Sequence, residues 1–234
     1  MTASRTAGAL LVAVPLIFTA GFTGLQMTFD YPDILRHPAG EVLTRFAGSG
    51  ADLHAYWYAM MFAALLMTGG AIAAGLHFWK WDNLLAALSI GAGVLAGLVQ
   101  ALGLLRWVML VPVLAATYVA PGATETEQAM AVALFNAANH YLGIGVGEHF
   151  GYFFTAIWTA LVSGLVFRTN RIIAISGFVI AFGVISGMLE PYGVPMTGLI
   201  NSISYTLWAL WTLVLGVVVL RDKQQIHSTV GQPA

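Results

Sequence analysis

The chain has few charged residues and no cysteine. Only 8% of its 234 residues are Asp, Glu, Lys or Arg, whereas soluble domains carry about 25%. So few charges cannot cover a surface that faces water, and 59% of the residues are hydrophobic. The composition therefore predicts an all-α, polytopic integral membrane helix bundle that has the lipid bilayer as its surroundings.

The absence of cysteine excludes disulfides, thiolate zinc sites, iron–sulfur clusters and thiol nucleophiles. Any metal ion would need His, Asp, Glu, Met or Tyr as its ligands. A net charge of −1 argues against a basic surface, so nucleic acid is not expected as a partner. Walker A, dinucleotide-binding, H-E-x-x-H and G-x-S-x-G motifs are also missing.

Apolar runs long enough to cross a bilayer recur along the chain, because about 20 residues span the hydrocarbon. We predict about six spans: 7–27, 53–78, 83–104, 148–167, 172–189 and 197–220. Pro112, a polar turn at 121–128 and several glycines interrupt the region 105–148, which predicts two half-length or interfacial helices on the outer side. A third short, amphipathic helix is expected from Pro38. One transmembrane domain would then cover 1–222, and 223–234 would form a polar tail.

The basic residues indicate an orientation. With six spans, most of them fall on one side of the bilayer, which the positive-inside rule assigns to the cytoplasm. These residues are Arg5, Lys80, Arg168, Arg171, Arg221 and Lys223. Both termini are then predicted to be cytoplasmic. An eight-span arrangement would place the turn at 121–128, which has no Lys or Arg, in the cytoplasm, and the same rule disfavours it.

Ionisable side chains are concentrated in the apolar run 136–153, near the predicted outer surface. His140 and His149 lie nine residues apart, so an unbroken α-helix would place them on opposite faces. The intervening glycines suggest that the helix breaks, because glycine weakens helix interiors by about 1 kcal/mol, and a break would let both imidazoles turn inward. The alternative is that the glycines at 143, 147 and 151 form a small-residue face for close helix packing.

Three strings of the sequence resemble an uncharacterised family of bacterial membrane proteins, known only as a domain of unknown function. They are YPDILRHPAGEVL at 31–43, LVQALGLLRW at 98–107 and GEHFGY at 147–152. The resemblance covers most of residues 10–220 and implies a multi-span protein of the bacterial inner membrane. It supports Gln100, Arg106, His140, Glu148 and His149 as motif positions. It implies no activity.

The first functional hypothesis is a cofactor site, because imidazoles and carboxylates are common ligands of transition metals, and paired imidazoles also bind b-type haem. The predicted ligands are His140, His149, Glu148 and His54. A bound metal would act as a Lewis acid or redox centre on a small or lipid-soluble substrate. Glu148 or Glu190 would then serve as general base, and Arg106 would hold an anionic group.

The sequence leaves two other functional hypotheses open. A transporter or ligand-binding protein would use Arg106 as the counter-charge for a small anionic or polar ligand. Its hydrogen bonds would come from Gln100, Asn136, Asn139 and Asn201. A structural subunit of a larger membrane complex, with partner membrane subunits, would instead pair Arg106 with Glu148 or Glu190. Its histidines would bond to backbone carbonyls.

Overall fold

The computed structural model describes residues 3–229. These residues form helices and contain no β-strand, which confirms the all-α class. Six helices are long and apolar enough to cross a bilayer, as predicted: Ser4–Phe29, Ala51–Phe78, Asn83–Tyr118, Glu125–Val166, Arg171–Tyr192 and Thr197–Arg221. Of the predicted tail, 223–229 continue the last helix, and 230–234 lie outside the described residues. The cytoplasmic location of the termini stays a prediction.

Within the described residues, the α-helices are α1 (Ala3–Phe29), α2 (Ala39–Ala47), α3 (Ala51–Phe78), α4 (Asn83–Leu105), α5 (Val111–Tyr118), α6 (Glu125–Ala138), α7 (Gly151–Val166), α8 (Arg171–Ser186) and α9 (Thr197–Thr229). Short 3-10 helices cover Asp33–Arg36 and Gly187–Tyr192. The first π-helical segment, Arg106–Leu110, joins α4 to α5, and the second, Asn139–Phe150, joins α6 to α7. The short helix predicted from Pro38 is confirmed as α2.

The spanning helices form a ring in which each one packs mainly against two neighbours. α1 packs against α3 and α9, α4 packs against α3 and α7, and α8 packs against α7 and α9. Large aromatic side chains fill the centre of this ring. The ring centroid of Trp158, which is fully buried, lies 6.0 Å from that of Trp208 and 6.1 Å from that of Trp211.

The two short helices predicted within 105–148 are present as α5 and α6, but they are not separate from the spans. Each continues a spanning helix through a π-helical segment, giving unbroken helices of 36 and 42 residues. At about 1.5 Å per residue the shorter one measures about 54 Å, well above the roughly 30 Å of the hydrocarbon. Both helices are therefore expected to project beyond the bilayer. We call this side, formed by residues 30–50, 106–138 and 190–197, the capped end.

The capped end has a hydrophobic core of its own, separate from the core between the spanning helices. At its centre Trp57 and Trp107 stack with their rings parallel and their centroids 4.5 Å apart. Phe29 meets both rings edge-on, and the buried residues Val42 and Phe46 bring in α2. This core fixes the position of the residue that follows α4, which is Arg106.

A capping box begins α6, and it gives a first testable prediction. The Thr124 hydroxyl accepts a hydrogen bond from the Glu127 amide at 3.3 Å, and the Glu127 carboxylate accepts one from the Thr124 amide at 2.8 Å. Thr124→Ala should lower the free energy of unfolding by about 1 kcal/mol, because a helix-terminal donor loses its partner. Unfolding in detergent measures this. Thr117→Ala, which removes another exposed hydroxyl, should change stability by less than about 0.5 kcal/mol. Equal losses in both variants would contradict the prediction.

Candidate functional site

The site begins where α4 meets the second π-helical segment through facing glycines. A methyl group built on Gly103 would lie 2.5 Å from the Cα atom of Gly147, so the two backbones are in direct contact. The helix runs without a break from Glu125 to Val166, and the predicted break at the glycines is therefore wrong. The alternative interpretation is confirmed, because the missing side chains allow this close packing.

The other glycines of the same face accommodate polar side chains of α4 and of the first π-helical segment. A methyl group on Gly143 would lie 2.6 Å from Nη2 of Arg106, and one on Gly151 would lie 2.9 Å from Cγ of Gln100. Each glycine thus leaves the space that a longer side chain occupies. The glycine face positions Arg106 and Gln100 as well as packing the helices.

Arg106 is the centre of the candidate site. Its side chain is 7% exposed, donates hydrogen bonds to the Gly103 carbonyl and to Oδ1 of Asn139 (3.1 Å), and lies 5.5 Å from the Trp107 ring centroid. Its Nε has no hydrogen-bond partner, and no carboxylate oxygen among the described side chains lies within 4.0 Å. Because a guanidinium carries five N–H donors, part of its binding capacity is unused.

Glu148 is the nearest opposite charge. It is half-buried on the second π-helical segment and interacts electrostatically with Arg106 and with the exposed Glu190. Within the described part of the chain, neither carboxylate is close enough to Arg106 for an ion pair. The pairing that the structural-subunit hypothesis predicted is therefore not observed. Arg106 and Glu148 interact electrostatically without forming an ion pair by contact.

Three tyrosines, none of them among the predicted site residues, lie within electrostatic range of Glu148. Tyr31, Tyr152 and Tyr205 each interact electrostatically with its carboxylate. The ring centroids of Tyr152 and Tyr205 are 5.5 Å apart. Burial, together with the charge of Glu148, raises the pKa of Tyr31 to about 12. Its hydroxyl group therefore stays protonated and able to donate at neutral pH.

The sequence did contain a signal for two of these tyrosines. Tyr31 opens the first of the three family-like strings, and Tyr152 closes the third, four residues after Glu148. Residues four apart lie on one face of a helix, so this spacing could have marked Tyr152 as a neighbour of Glu148. Tyr205 carries no such local signal, because only the packing of α9 brings it to the site.

The predicted amide ligands have different environments. Gln100 donates to the Thr155 hydroxyl at 2.9 Å, and Asn201 donates to the Val184 carbonyl at 2.7 Å. These two bonds tie neighbouring helices together. Asn139 accepts from Arg106 and orients the guanidinium, whereas Asn136 is exposed. Of the four, Asn139 has the most direct connection to the site.

The histidines predicted as metal or haem ligands do not gather in one place. His140 is exposed, His149 is half-buried beside Phe150, and His54 lies edge-on to Phe46, with centroids 5.2 Å apart, at the capped-end core. No group of three or more His, Asp or Glu side chains in the described chain could hold a metal ion. The continuous helix leaves His140 and His149 about two turns apart along its axis, and His54 belongs to a different helix, α3. The ligand assignments, including that of Glu148, stay predictions that the geometry does not support.

The length of α4 predicts that the site lies near the boundary between lipid and water at the capped end. Arg106 directly follows the 23 residues of α4, a distance of about 35 Å along the helix, which is slightly more than the thickness of the hydrocarbon. At this depth a buried charge can meet a ligand that arrives from the aqueous side.

Most of the chain matches the model of a known family. Residues 6–220 match the family model described as a domain of unknown function (DUF4386). The chain belongs to this family. Membership in DUF4386 confirms the resemblance seen in the sequence, and the matched range contains every residue of the candidate site. No curated protein and no solved structure matches the chain. The function must therefore be argued from the site itself.

Proposed function

We propose that this protein binds a small anionic ligand at Arg106, at the capped end of its helix bundle. The observation that carries the proposal is a buried guanidinium without a contacting carboxylate and with an unpartnered Nε. Burying an ion costs several kcal/mol unless a partner compensates it. The two neutral acceptors and the Trp107 ring offset only part of this cost, so a bound anion would complete the site.

The way Arg106 is held favours anion recognition. Arginine stays protonated in proteins, and its planar fork matches carboxylate and phosphate groups. Gly103 and Asn139 each use one terminal nitrogen of the guanidinium and fix its plane, while Nε and the remaining hydrogens stay unused. Ionisable residues of spanning helices that face the interior of a bundle are typical of ligand pathways.

Binding accounts for these contacts better than the other hypotheses do. A cofactor centre would need converging ligands, and the three histidines predicted as ligands, His54, His140 and His149, lie in three different surroundings. A purely structural role would favour contact between Arg106 and Glu148 or Glu190. Trp158, Trp208 and Trp211 fill the centre of the ring of spanning helices and leave little room for a ligand there, which favours a ligand held at the capped end. The catalytic roles considered for Arg106, Glu148 and Glu190 stay predictions.

Thermal unfolding of the detergent-purified protein with butyrate, phosphate or sulfate tests this proposal. We expect at least one of these anions to raise the melting temperature in a saturable way, because a ligand present at 100 times its Kd stabilises the folded state by about 2.7 kcal/mol. Arg106→Gln should abolish the response. Arg106→Lys keeps the positive charge but loses the planar guanidinium, which can donate two parallel hydrogen bonds. It should weaken binding about tenfold.

Arg168→Gln is the matched control, because Arg168 is exposed and follows α7 at the opposite end of the bundle. This variant should respond to the anion as the unmodified protein does. A wild-type protein that responds to none of the three anions would overturn the proposal. So would an Arg106→Gln variant that keeps the full response.

A further inference from the structure

Next to Arg106, which attracts anions, lies a second group of side chains that attract cations. Glu148 and Glu190 supply negative charge, and Tyr31, Tyr152 and Tyr205 supply aromatic faces and hydroxyl groups. We infer that the ligand is a zwitterion, whose anionic group binds Arg106 and whose ammonium group binds among Glu148 and the tyrosines. This inference rests on the proposed function and names the class of its ligand.

The surroundings of Glu148 suit a cation. None of the described basic side chains lies within 4.0 Å of its carboxylate, and Glu190 adds a second negative charge in electrostatic range. Carboxylates and aromatic rings together are the groups that attract ammonium ions in proteins, the rings through their negative faces. An ammonium group would therefore find both of its usual partners here.

The tyrosines are held in place by packing. The rings of Tyr152 and Tyr205 are 5.5 Å apart, and Tyr31 meets the Trp57 ring edge-on at 5.2 Å. Glu190 lies against the start of α9, where a methyl group on Gly198 would come within 2.7 Å of its Oε1. The acidic, aromatic cluster is thus built from four separate parts of the chain: Tyr31, the pair Glu148 and Tyr152, Glu190, and Tyr205.

Arg106 lies next to this acidic, aromatic cluster, and its own unused binding capacity makes the cluster half of a larger site. It is more than nine-tenths buried, has an unpartnered Nε and interacts electrostatically with Tyr31 and Glu148. A structural ion pair would bring Arg106 and Glu148 into contact, whereas here they remain more than 4.0 Å apart. A ligand with both charges would compensate both side chains at once, and a simple anion would compensate only one.

The experiment compares pairs of ligands, and the two members of each pair differ only by an amino group. Acetate, butyrate and hexanoate are paired with glycine, 4-aminobutyrate and 6-aminohexanoate, so that several charge separations are covered. Affinities come from thermal unfolding of the full chain in detergent. We expect at least one amino acid to bind about tenfold more tightly than its matched acid. Glu148→Gln should remove this gain and leave the affinity for the acid unchanged.

Glu125→Gln is the control, because Glu125 is exposed at the start of α6, away from the site residues. It should keep the full preference for the zwitterion. If the acids bind through Arg106 and no amino acid binds more tightly than its partner, the inference fails while the proposed function stands. If neither series binds and phosphoethanolamine does not bind either, the inference fails, and the proposed function fails with it only if phosphate and sulfate also leave the melting temperature unchanged. A preference for the zwitterion that survives in Glu148→Gln also overturns the inference.

A zwitterion can be a soluble amino acid-like molecule or the headgroup of a phospholipid. Phosphoethanolamine, paired with ethyl phosphate, separates the two sources in the same assay. If phosphoethanolamine binds more tightly than every amino acid of the series, the ligand is a lipid headgroup; the reverse order assigns a soluble ligand. Both results require the dependence on Glu148 that the inference predicts.

Discussion

Gly103→Leu is expected to prevent stable folding, since the new side chain has no space on the face of α4 that meets the second π-helical segment. Its Cβ alone would lie 2.5 Å from the Cα of Gly147 and 2.9 Å from the carbonyl oxygen of Leu142, both of which are backbone atoms. Overpacking usually costs about 1 to 3 kcal/mol, and the cost is higher where the backbone itself must separate. We expect a large loss of monodisperse protein in size-exclusion chromatography.

The same helix offers a matched control. A methyl group on Gly91 would have no atom within 4 Å, so Gly91→Leu adds the same side chain to the same helix in open space. This variant should keep the yield and melting temperature of the parent protein, because leucine also has the better helix propensity. If the two leucine variants behave alike, close contact at Gly103 does not hold the site together.

Trp107→Ala should produce the second large effect, a loss of about 3 to 5 kcal/mol in the free energy of unfolding. The ring is 1% exposed, stacks on Trp57 at 4.5 Å and contacts Phe46 and Phe135 with centroids 6.1 and 5.8 Å away. Its removal would leave a cavity at the centre of the capped-end core. Denaturant unfolding in detergent measures the loss.

The effect on binding should follow from the same cavity, because the Trp107 ring also supports the Arg106 guanidinium. Trp107→Phe, which keeps an aromatic ring, should retain more of both stability and anion affinity. Trp79→Ala is the control, as this side chain is 46% exposed, and its loss should change stability by about 0.5 kcal/mol or less. A Trp107→Ala variant as stable as Trp79→Ala would contradict the prediction.

Composition and apolar run length were sufficient to predict the membrane class and about six spans, because the thickness of the bilayer sets the length of each span. The region 105–148 could not be predicted in the same way. Its glycines and Pro112 suggested interruptions, and local propensity is a weak guide where packing decides. Gly147 instead packs closely against Gly103, as the alternative interpretation of the glycines predicted, but the local sequence does not identify Gly103 as its partner.

Only part of the candidate site was predictable from the sequence. Arg106 and Glu148 stand out because charge is costly in apolar segments, whatever surrounds them. The tyrosines stand out less, since tyrosine is common at membrane surfaces. Tyr31 and Tyr205 come together only through the order of helices around the ring. The histidines, in contrast, attracted attention through their chemistry, and the unbroken helix gives them no common location.

The continuity of α6 with α7 has a mechanical consequence. One continuous helix carries both Glu148 and the projecting part of the capped end. A tilt of this helix about the second π-helical segment, which acts as a lever's pivot, would therefore move α6 as a unit. The 14 residues of α6 give this lever an arm of about 21 Å. A tilt of about 5° at the pivot would move its tip, near residue 124, by about 2 Å. A spectroscopic label on the turn at 119–124 would therefore report small rearrangements at Arg106 as a larger displacement in the aqueous phase.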